Sequence, residues 1–570
     1  MRDVRTVVKA IFLYSPFRYG IVAFIRIFGY AGLGALCGLL IKRFFDLASA
    51  SSLTVGAVYE IAALLVAVPI VQAITYSIDL ALSYGLTEIV RATFRRNLFR
   101  FVLERPGAAP LPIAEGKLSN LLRTDVAAPE SLMWDLSYLS AYFLFSAGGL
   151  AMLAAVDWQA AVVLFVPLPA ALGAGRLLKR RIGRHIERQQ QSSDRFLGLL
   201  SDMLRHREAI RVNNAAGAFL KRLRGLGDER ADAGRRGAVC SAALASVNEY
   251  IVAGGTALLL LALGGKLRSG EVTVGGFALF VFFLGYMSGT VRLMSAAAAG
   301  VRKTEAALSR IGELLGTDPI RKLTASDSLY LNGGPPPLPA SANPEARPPI
   351  RIEVRRLSCA YPGTDKGVRD ISFVLPPSSF TVITGPVGSG KTTLLRALLG
   401  LLPDVAGDIV WRGERDRIGD GPLAPPLAAY VPQVPFLFGG TIRDNILLGH
   451  ADDSFLREAL HIAVLEQDLA RFPDGLDTRI GPGGATLSGG QRQRVAVARM
   501  AVRRAPLWVL DDISSALDAE TEIEMWRRID ALRRRDGMTC LVVSNKPYAL
   551  RCADQIIALR DGRMEAPPTG

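Results

Sequence analysis

The chain contains 570 residues, which is too long for a single domain, since domains usually have about 100–200 residues. Half of the residues are hydrophobic, only 21% are charged and the mean hydropathy is +0.27. This composition excludes disordered and fibrous classes and indicates that part of the chain lies in a membrane. The formal net charge is +15, but almost all of the basic excess falls in residues 1–350, which also hold the long apolar runs. Membrane proteins collect such an excess in cytoplasmic loops, so we expect no nucleic-acid partner.

Residues 1–14 are basic and amphipathic, and no small-residue cleavage site follows them. We therefore expect an interfacial helix before the first span rather than a removed signal peptide. The five cysteines form no C-x-x-C pair and no Cys/His cluster, so neither a disulfide framework nor a zinc site is indicated. Cys359, Cys540 and Cys552 are expected to be small buried residues in a reducing compartment.

Six apolar stretches are long enough to cross the membrane, since about 20 helical residues span roughly 30 Å of hydrocarbon. They cover residues 19–41, 57–82, 136–155, 159–177, 238–263 and 274–295. Two long connections, 88–135 and 176–236, are rich in arginine, and the other three are short. The positive-inside rule places the long connections and both termini in the cytoplasm, and the short connections outside. Helical spacing of leucines in the second long connection predicts helices that continue into the cytoplasm.

Three ionisable side chains fall at membrane depth: Arg26, Asp79 and Glu249. Charged groups are costly in hydrocarbon and often face a cavity. Arg26 and Asp79 could therefore line a translocation path or pair with each other. The alternative is that each lies near an interface or in a wet cleft with no direct role toward a substrate.

A proline-rich segment divides the chain. Seven of the residues in 332–350 are prolines, which excludes a helix or a central strand and predicts an extended tether. A short helical segment, 304–315, precedes it. We therefore expect a membrane domain at 1–315, a linker at 316–350 and a second domain at 351–570.

The second domain begins with a phosphate-binding pattern. A β-rich run at 380–384 leads into G-x-x-x-x-G-K-T at 385–392, and a helical leucine-rich run follows. In this order of strand, loop and helix, backbone N–H groups and the helix N-terminus surround phosphate oxygens. Lys391 would supply a positive charge to the β- and γ-phosphates and Thr392 a hydroxyl for Mg²⁺. The predicted nucleotide-binding residues here are Gly385, Pro386, Val387, Gly388, Ser389, Gly390, Lys391, Thr392 and Thr393.

An apolar strand at 507–510 ends in two acidic residues. Asp511 occupies the position of a Mg²⁺-holding carboxylate in nucleotide-binding folds of this kind. Asp512 follows directly, where a general base would contact the attacking water.

Between these motifs stands Leu487-Ser488-Gly489-Gly490-Gln491. Together with the phosphate loop and Asp511, this string resembles the ABC ATPases, and the whole chain looks like an ABC half-transporter of the exporter fold. The resemblance implies an α-helical six-span membrane domain followed by an α/β P-loop ATPase domain, with ATP and Mg²⁺ as cofactors. By the same resemblance Tyr361 would stack on adenine, Gln433 would sense Mg²⁺, and Ser488, Gly489, Gly490, Gln491 and Asp518 would contact nucleotide. Segments 116–125 and 211–219 would be coupling helices.

The sequence departs from the family pattern at two catalytic positions. Asp512 replaces the usual glutamate, and Asn545 replaces the usual switch histidine; the acidic residue before the signature is also absent from 481–484. Aspartate is one methylene shorter than glutamate, and asparagine cannot carry the proton of an imidazole. Gln433, Asp512 and Asn545 are therefore the catalytic candidates of a weakened site, unless the changes are drift within a working enzyme.

In the resembled family each nucleotide lies between the phosphate loop of one chain and the signature of the other. An intact signature beside a weakened base favours a heterodimer with a second half-transporter that supplies glutamate and histidine. The predicted function is ATP-driven transport, in the export direction, across a bacterial inner membrane with the ATPase domain in the cytoplasm. The alternatives are a slow homodimeric exporter, an exporter-fold importer, a nucleotide-gated regulatory subunit and a membrane-anchored soluble-type ATPase.

Overall fold

The apolar runs of the first 315 residues form long helices in the computed structural model of the chain. The structure describes residues 2–50, 54–107, 111–113, 115–158, 162, 188–189, 191–326, 329, 351–361, 366–411, 414–417, 427–449, 453–484 and 486–565. Contacts within the chain separate two units. The helical unit comprises Met1–Phe101 and Leu111–Leu329, and the sheet unit comprises Val102–Pro110 and Tyr330–Gly570.

The helical unit contains ten labelled helices. They are α1 (Arg2–Tyr14), α2 (Pro16–Arg26), α3 (Leu33–Ser49), α4 (Val55–Leu103), α5 (Glu115–Asn120), α6 (Ala127–Val156), α7 (Arg207–Val212), α8 (Ala216–Ser269), α9 (Val274–Leu315) and α10 (Pro319–Leu323). Two π-helical segments, Ile27–Gly32 and Leu121–Asp125, follow α2 and α5. Residues 191–205 are also helical.

Three helical segments of the described chain are long and apolar enough to cross a membrane: Pro16–Ser49, Val55–Leu103 and Val274–Leu315. They contain the first, second and sixth predicted spans. Helices α6 and α8 contain the third and fifth, and the fourth, at 159–177, lies almost entirely outside the described residues. The number of six spans therefore stays a prediction.

Helices α6 and α3 both pack against α9. Phe145, Phe280 and Phe283 are buried in the cluster that joins them. Glycines allow the close approach, because a Cβ atom at Gly149 would lie 2.3 Å from the Phe283 ring and one at Gly38 2.9 Å from the Phe282 ring. The bundle thus depends on large aromatic rings packed against bare backbone.

Arg26 and Asp79 pair with each other, which was one of the two roles left open. Arg26 Nε donates to both Asp79 carboxylate oxygens, at 2.9 and 3.1 Å, and Arg26 Nη2 donates to the Ser83 hydroxyl at 2.8 Å. The Tyr138 hydroxyl donates to Asp79 at 2.8 Å, and the guanidinium carbon lies 4.1 Å from the Tyr138 ring centre. The pair joins α2, α4 and α6. The side chain of Glu249 lies outside the described part.

The structure adds detail to three expectations for the helical unit. Helix α1 forms, and its Val7 and Ile11 are fully buried against other helices of this unit, while Phe12 and Leu13 are exposed. The interfacial position of α1 stays a prediction. The segment 304–315 is no separate helix but the last part of the 42-residue α9. The predicted linker begins with an ordered helix, α10, whose Leu323 carbonyl accepts a 2.7 Å hydrogen bond from Asn97.

The two predicted transverse segments have different outcomes. Residues 116–125 form α5 and the following π-helical segment, and Arg310 on α9 donates to the Asp125 carboxylate at 2.6 and 2.7 Å. The second short helix, α7, ends at Val212 instead of spanning 211–219. It stops there because Asn214 adopts a left-handed conformation, with φ of 49°, which asparagine tolerates better than most residues.

The sheet unit contains twelve strands, seven α-helices and two short 3₁₀ helices among the described residues. The strands are β1 (Ile352–Ala360), β2 (Gly367–Leu375), β3 (Phe380–Thr384), β4 (Ala406–Trp411), β5 (Glu414–Arg417), β6 (Ala428–Val431), β7 (Gly440–Thr441), β8 (Arg479–Ile480), β9 (Leu507–Asp511), β10 (Thr539–Val543), β11 (Gln555–Arg560) and β12 (Arg563–Met564). The helices are α11 (Lys391–Leu398), α12 (Ile442–Leu447), α13 (Leu456–Ile462), α14 (Glu466–Arg471), α15 (Gly489–Ala501), α16 (Ala519–Asp536) and α17 (Pro547–Arg551).

The central sheet has the strand order β12-β11-β3-β10-β9-β6. The five strands from β11 to β6 are parallel, so their carboxyl ends meet at one edge. A smaller antiparallel sheet has the order β2-β1-β4-β5. Strand β9 shows why the central sheet is buried on both faces: Trp508 and Leu510 belong to one apolar cluster, and Leu507 and Val509 to the other. Cys540 and Cys359 are buried as expected, and Cys552 is half-buried.

Candidate nucleotide-binding site

A cavity of about 970 Å³ lies at the carboxyl edge of the central sheet. The phosphate loop follows β3, Asn545 follows β10 by two residues, Asp511 ends β9, and Gln433 follows β6 by two residues. Because β3, β10, β9 and β6 are neighbours in this order, the parallel sheet itself brings the four groups together. The predicted residues that line the cavity are Tyr361, Val387, Gly388, Gly390, Lys391, Thr392, Thr393, Gln433, Asp511, Asp512 and Asn545.

The phosphate loop has a backbone that requires glycine. Gly385, Gly388 and Gly390 have φ of 146°, 85° and 96°, which L-residues with side chains rarely adopt. A Cβ atom at Gly385 would also lie only 2.2 Å from the Leu559 carbonyl oxygen. Gly390 precedes the first turn of α11, so the N-terminus of this helix and the loop amides form the kind of cradle that binds phosphate.

Lys391 is hydrogen-bonded to its own loop. Its Nζ donates to the carbonyl oxygens of Gly385 and Pro386, each at 2.8 Å. Burial lowers the pKa of Lys391, while the nearby Asp511 and Asp512 oppose that shift.

Asp511 and Thr392 supply oxygen atoms suited to Mg²⁺. The Thr392 hydroxyl donates to Asp511 Oδ1 at 3.1 Å, and the Tyr430 hydroxyl donates to Oδ2 at 3.4 Å. Burial raises the pKa of Asp511, whose carboxylate is almost fully enclosed. No group of three or more His, Cys, Asp and Glu side chains forms a metal site within the described residues. Mg²⁺ needs no such group, because it is usually held by one or two protein oxygens together with substrate phosphates.

Asp512 faces the same cavity from a constrained backbone. Its φ is 48°, and its N–H donates to the Val543 carbonyl at 3.0 Å. Gln433 Nε2 donates to Asp512 Oδ2 at 3.2 Å. Burial raises the pKa of Asp512, the Gln433 hydrogen bond and the neighbouring Lys546 and Lys391 lower it, and Glu522 raises it. The two catalytic candidates Asp512 and Gln433 are therefore in direct contact.

Asn545 contacts the phosphate loop. Its Oδ1 accepts hydrogen bonds from the Thr384 hydroxyl at 2.9 Å and from the Gly385 N–H at 3.3 Å, and its Nδ2 donates to the Gly385 carbonyl at 3.2 Å. The predicted adenine-stacking residue, Tyr361, is half-buried at the cavity wall, with its hydroxyl 3.5 Å from the Thr393 hydroxyl.

The signature residues do not line this cavity in the part of the chain that is described. Ser488 caps α15, where its hydroxyl accepts from the Gln491 N–H at 3.2 Å and Gln491 Oε1 accepts from the Ser488 N–H at 2.9 Å. A Cβ atom at Gly490 would lie 2.9 Å from the Ala516 carbonyl oxygen. Asp518 caps α16 through Thr521 at 2.9 Å. Among the described predictions, Gly385, Pro386, Ser389, Ser488, Gly489, Gly490, Gln491 and Asp518 lie outside the cavity lining.

The cavity also contains basic residues that the sequence reasoning missed. They are Lys366, Arg369, Lys546 and Arg563, and the acidic Asp561 also lines the cavity. Lys546 could have been found because it follows Asn545 directly. The others come from the start of β2 and from the β11–β12 turn, which only the sheet topology brings to the loop.

Two family models match this chain and define its class. The ABC transporter transmembrane region matches residues 18–291, and the ABC transporter model matches residues 368–515. Together they cover more than half of the chain, which belongs to the ABC transporter family as a membrane domain followed by an ATP-binding domain. The expected fold class is thereby confirmed, and ATP with Mg²⁺ is the ligand pair of such ATPase domains.

Several curated proteins resemble the chain. The mycobactin import ATP-binding/permease protein IrtB of Mycobacterium tuberculosis is 33% identical over 320 residues, which are 55% of this chain and 50% of that protein. The chain thus spans about half the length of this relative. The ATP-dependent lipid A-core flippase of Chromobacterium violaceum is 29% identical over 429 residues, 73% of this chain and 69% of that protein.

A solved structure supports the fold over most of the length. A bacterial Atm1-family ABC exporter with ATP bound matches with a TM-score of 0.73 at 19% identity, covering 96% of this chain and 94% of that one. The structural likeness concerns the fold, namely that of exporter-type half-transporters.

Proposed function

We propose that this chain is one subunit of a dimeric transporter that uses ATP binding and hydrolysis to move a substrate across the membrane. We further propose that it is the half of a heterodimer that carries the weakened ATPase site. One observation carries this proposal: Asp512 and Asn545 line the cavity at the positions of the family's base and switch residue.

Each of the predicted cavity residues would have a separate role in ATP hydrolysis. The loop amides and Lys391 would bind the phosphates, and Thr392 with Asp511 would hold Mg²⁺, which neutralises the charge that develops on the phosphates. Asp512 would orient the attacking water from a shorter side chain than glutamate. Asn545 can donate a hydrogen bond but cannot take up a proton. Loss of a positioned acid or base group slows a reaction by about 10²–10⁴.

A partner chain is needed to complete the site. The signature residues lie outside this cavity, on the N-terminus of α15, and the exposed Ser488 caps that helix. In a homodimer both sites would combine Asp512 with Asn545, so neither would turn over quickly. A different partner with glutamate and histidine, completed by the signature of this chain, would provide one fast site.

Co-purification with the product of a neighbouring transporter gene, followed by ATPase measurement, tests the heterodimer. We expect the mixture to hydrolyse ATP much faster than this chain alone, and Asp512→Glu with Asn545→His to raise the rate of the chain alone. Asp512→Asn should affect the mixture less than removal of the partner's glutamate. A stable homodimer that hydrolyses ATP as fast as any mixture would refute the heterodimer and support a homodimeric exporter with slow but real hydrolysis. Binding of ATP without turnover in either form would support the regulatory-subunit alternative.

The direction of transport has two candidates. We propose export, since the solved exporter with ATP bound shares the fold over most of the chain. Import is favoured by a different observation, the similarity to the mycobactin import ATP-binding/permease protein IrtB of Mycobacterium tuberculosis. Inside-out vesicles separate the two, because an exporter would accumulate labelled substrate on addition of external ATP and an importer would lose it. A lipid-linked and a siderophore-type substrate are the first two to try.

We also propose a bacterial inner-membrane location with the sheet unit in the cytoplasm. The basic connections 88–135 and 176–236 support this orientation. The similarity to bacterial transporters supports a bacterial inner membrane.

A further inference from the structure

The side-chain amide of Asn545 pairs with the backbone of one residue of the phosphate loop. Its oxygen accepts the Gly385 N–H at 3.3 Å, and its nitrogen donates to the Gly385 carbonyl at 3.2 Å. The side-chain amide of Asn545 thus hydrogen-bonds to both backbone groups of Gly385, the N–H and the carbonyl. A neutral imidazole also has one donor and one acceptor, but they point away from each other across the ring, so histidine could not make both bonds at once.

Thr384 adds a further hydrogen bond to this amide. Its hydroxyl donates to Asn545 Oδ1 at 2.9 Å. The orientation of the amide is assigned by Gly385, whose N–H can only donate to the oxygen and whose carbonyl can only accept from the nitrogen. Thr384 is the last residue of β3, and Val543 on β10 pairs in register with Ile383. The Asn545 side chain is therefore anchored by two neighbouring strands of the central sheet.

Lys391 and Asn545 share an acceptor. The Gly385 carbonyl oxygen receives Lys391 Nζ at 2.8 Å and Asn545 Nδ2 at 3.2 Å. A carbonyl oxygen has two lone pairs and can accept both. If Lys391 exchanged this oxygen for a phosphate oxygen, the Asn545 hydrogen bond would keep the Gly385 carbonyl paired.

We propose that Asn545 is a positioning residue that strengthens nucleotide binding by keeping the Gly385 peptide satisfied and fixed while Lys391 moves to the phosphates. The inference rests on the proposed nucleotide site and deepens it. Asparagine at position 545 would then have two effects. It removes the proton-carrying group of the switch histidine, and it makes this site bind ATP more tightly. Slow hydrolysis and tight binding would have one structural origin.

The effect should depend on the number of phosphates. Lys391 reaches the β- and γ-phosphates, so Asn545 should matter for ATP and ADP and not for AMP, which lacks both. A neutral hydrogen bond contributes a modest amount, which corresponds to about a three- to tenfold change in Kd. A general loss of folding would instead weaken all three nucleotides and lower the unfolding temperature.

The test uses the purified full-length chain with fluorescent mant-ATP, mant-ADP and mant-AMP in the presence of Mg²⁺. Asn545→Ala should raise Kd about three- to tenfold for the first two ligands and leave the third unchanged, with an unchanged thermal transition. Thr384→Val, which removes the hydroxyl bonded to Asn545 Oδ1 and preserves the shape, should produce a smaller change in the same direction. Asn545→His should raise both KM and kcat, because it restores the switch group and loses the paired amide.

Two results would overturn the inference. One is an unchanged mant-ATP affinity in Asn545→Ala while Lys391→Ala still weakens binding; the nucleotide site would then stand without this role for Asn545. The other is an equal loss for mant-AMP and mant-ATP, which assigns Asn545 a purely structural part. If Lys391→Ala also leaves affinity unchanged, the proposed nucleotide site itself fails, and that outcome is distinct from the first two.

Discussion

Asp79→Leu should strongly destabilise the helical unit, because it leaves Arg26 buried without its counter-ion. The two side chains are 3% and 1% exposed. Removing one member of a buried ion pair typically costs about 3–5 kcal/mol, since the remaining charge stays desolvated. The Tyr138 hydroxyl also loses its acceptor on Asp79. At a few degrees per kcal/mol for a unit of this size, the transition temperature should fall by about 5–15 °C.

The double variant Arg26→Met with Asp79→Leu separates charge from shape. Replacing a buried pair by apolar side chains of similar volume is often neutral or stabilising. We therefore expect the double variant to recover most of the stability lost in Asp79→Leu. Asp232→Ala is the matched control, because its ion pair with Arg235 is solvent-exposed at 59% and 77% and should contribute less than about 1 kcal/mol.

The measurement is the fraction of detergent-solubilised protein that stays monodisperse in size-exclusion chromatography after heating. If Asp79→Leu were as stable to heating as the wild type, the ion-pair reasoning would be refuted. A double variant that is as unstable as the single one would also refute it, since the loss would then come from packing of α2, α4 and α6 and not from an uncompensated charge.

Four further outcomes follow from the site and the topology. Lys391→Ala should weaken ATP binding to the isolated full chain at least tenfold, measured by equilibrium binding, because the cradle loses a positioned cation. A single cysteine at Asn120 should resist an impermeant thiol reagent in intact cells, and strong labelling would reverse the proposed orientation. Ser488→Arg should silence most ATPase activity of a heterodimer without affecting ATP binding at the chain's own cavity. Residual ATPase activity should fall as the pH is lowered, with a midpoint above the ordinary pKa range of aspartate. The reason is that burial raises the pKa of Asp512 and a general base must be ionised to act. In Asp512→Asn this acidic limb of the pH profile should disappear.

The parts of the fold that follow local rules could be predicted from the sequence. The phosphate loop, its flanking strand and helix, and the strand ending at Asp511 were predicted because glycine spacing and apolar runs carry that information locally. The apolar runs also located the long helices α4 and α9, although not their length. Helix α9 continues to Leu315 because its residues beyond the predicted span are buried against other helices of the unit, which no local pattern reveals.

Pairwise contacts between distant residues could not be predicted. The Arg26–Asp79 pair depends on the rotation of α2 and α4 about their axes, and the sequence left it as one alternative among others. The pairing of Asn545 with Gly385 depends on the register of β10 against β3. The sequence shows that asparagine replaces histidine at position 545. It does not show that the asparagine side chain hydrogen-bonds to Thr384 and Gly385.

Gln493 connects the signature helix to the cavity of its own chain. This side chain is 4% exposed; it donates to the Ser515 hydroxyl at 2.9 Å and to the Gln433 carbonyl at 3.4 Å, and it accepts the Ala516 N–H at 3.1 Å. The helix that would read the nucleotide of a partner is thus bonded to two loops beside Asp512. A buried side-chain amide whose hydrogen bonds are satisfied makes its surroundings rigid. If the chain works in a dimer, this rigid connection would link the cavity of this chain to the signature that it offers to its partner.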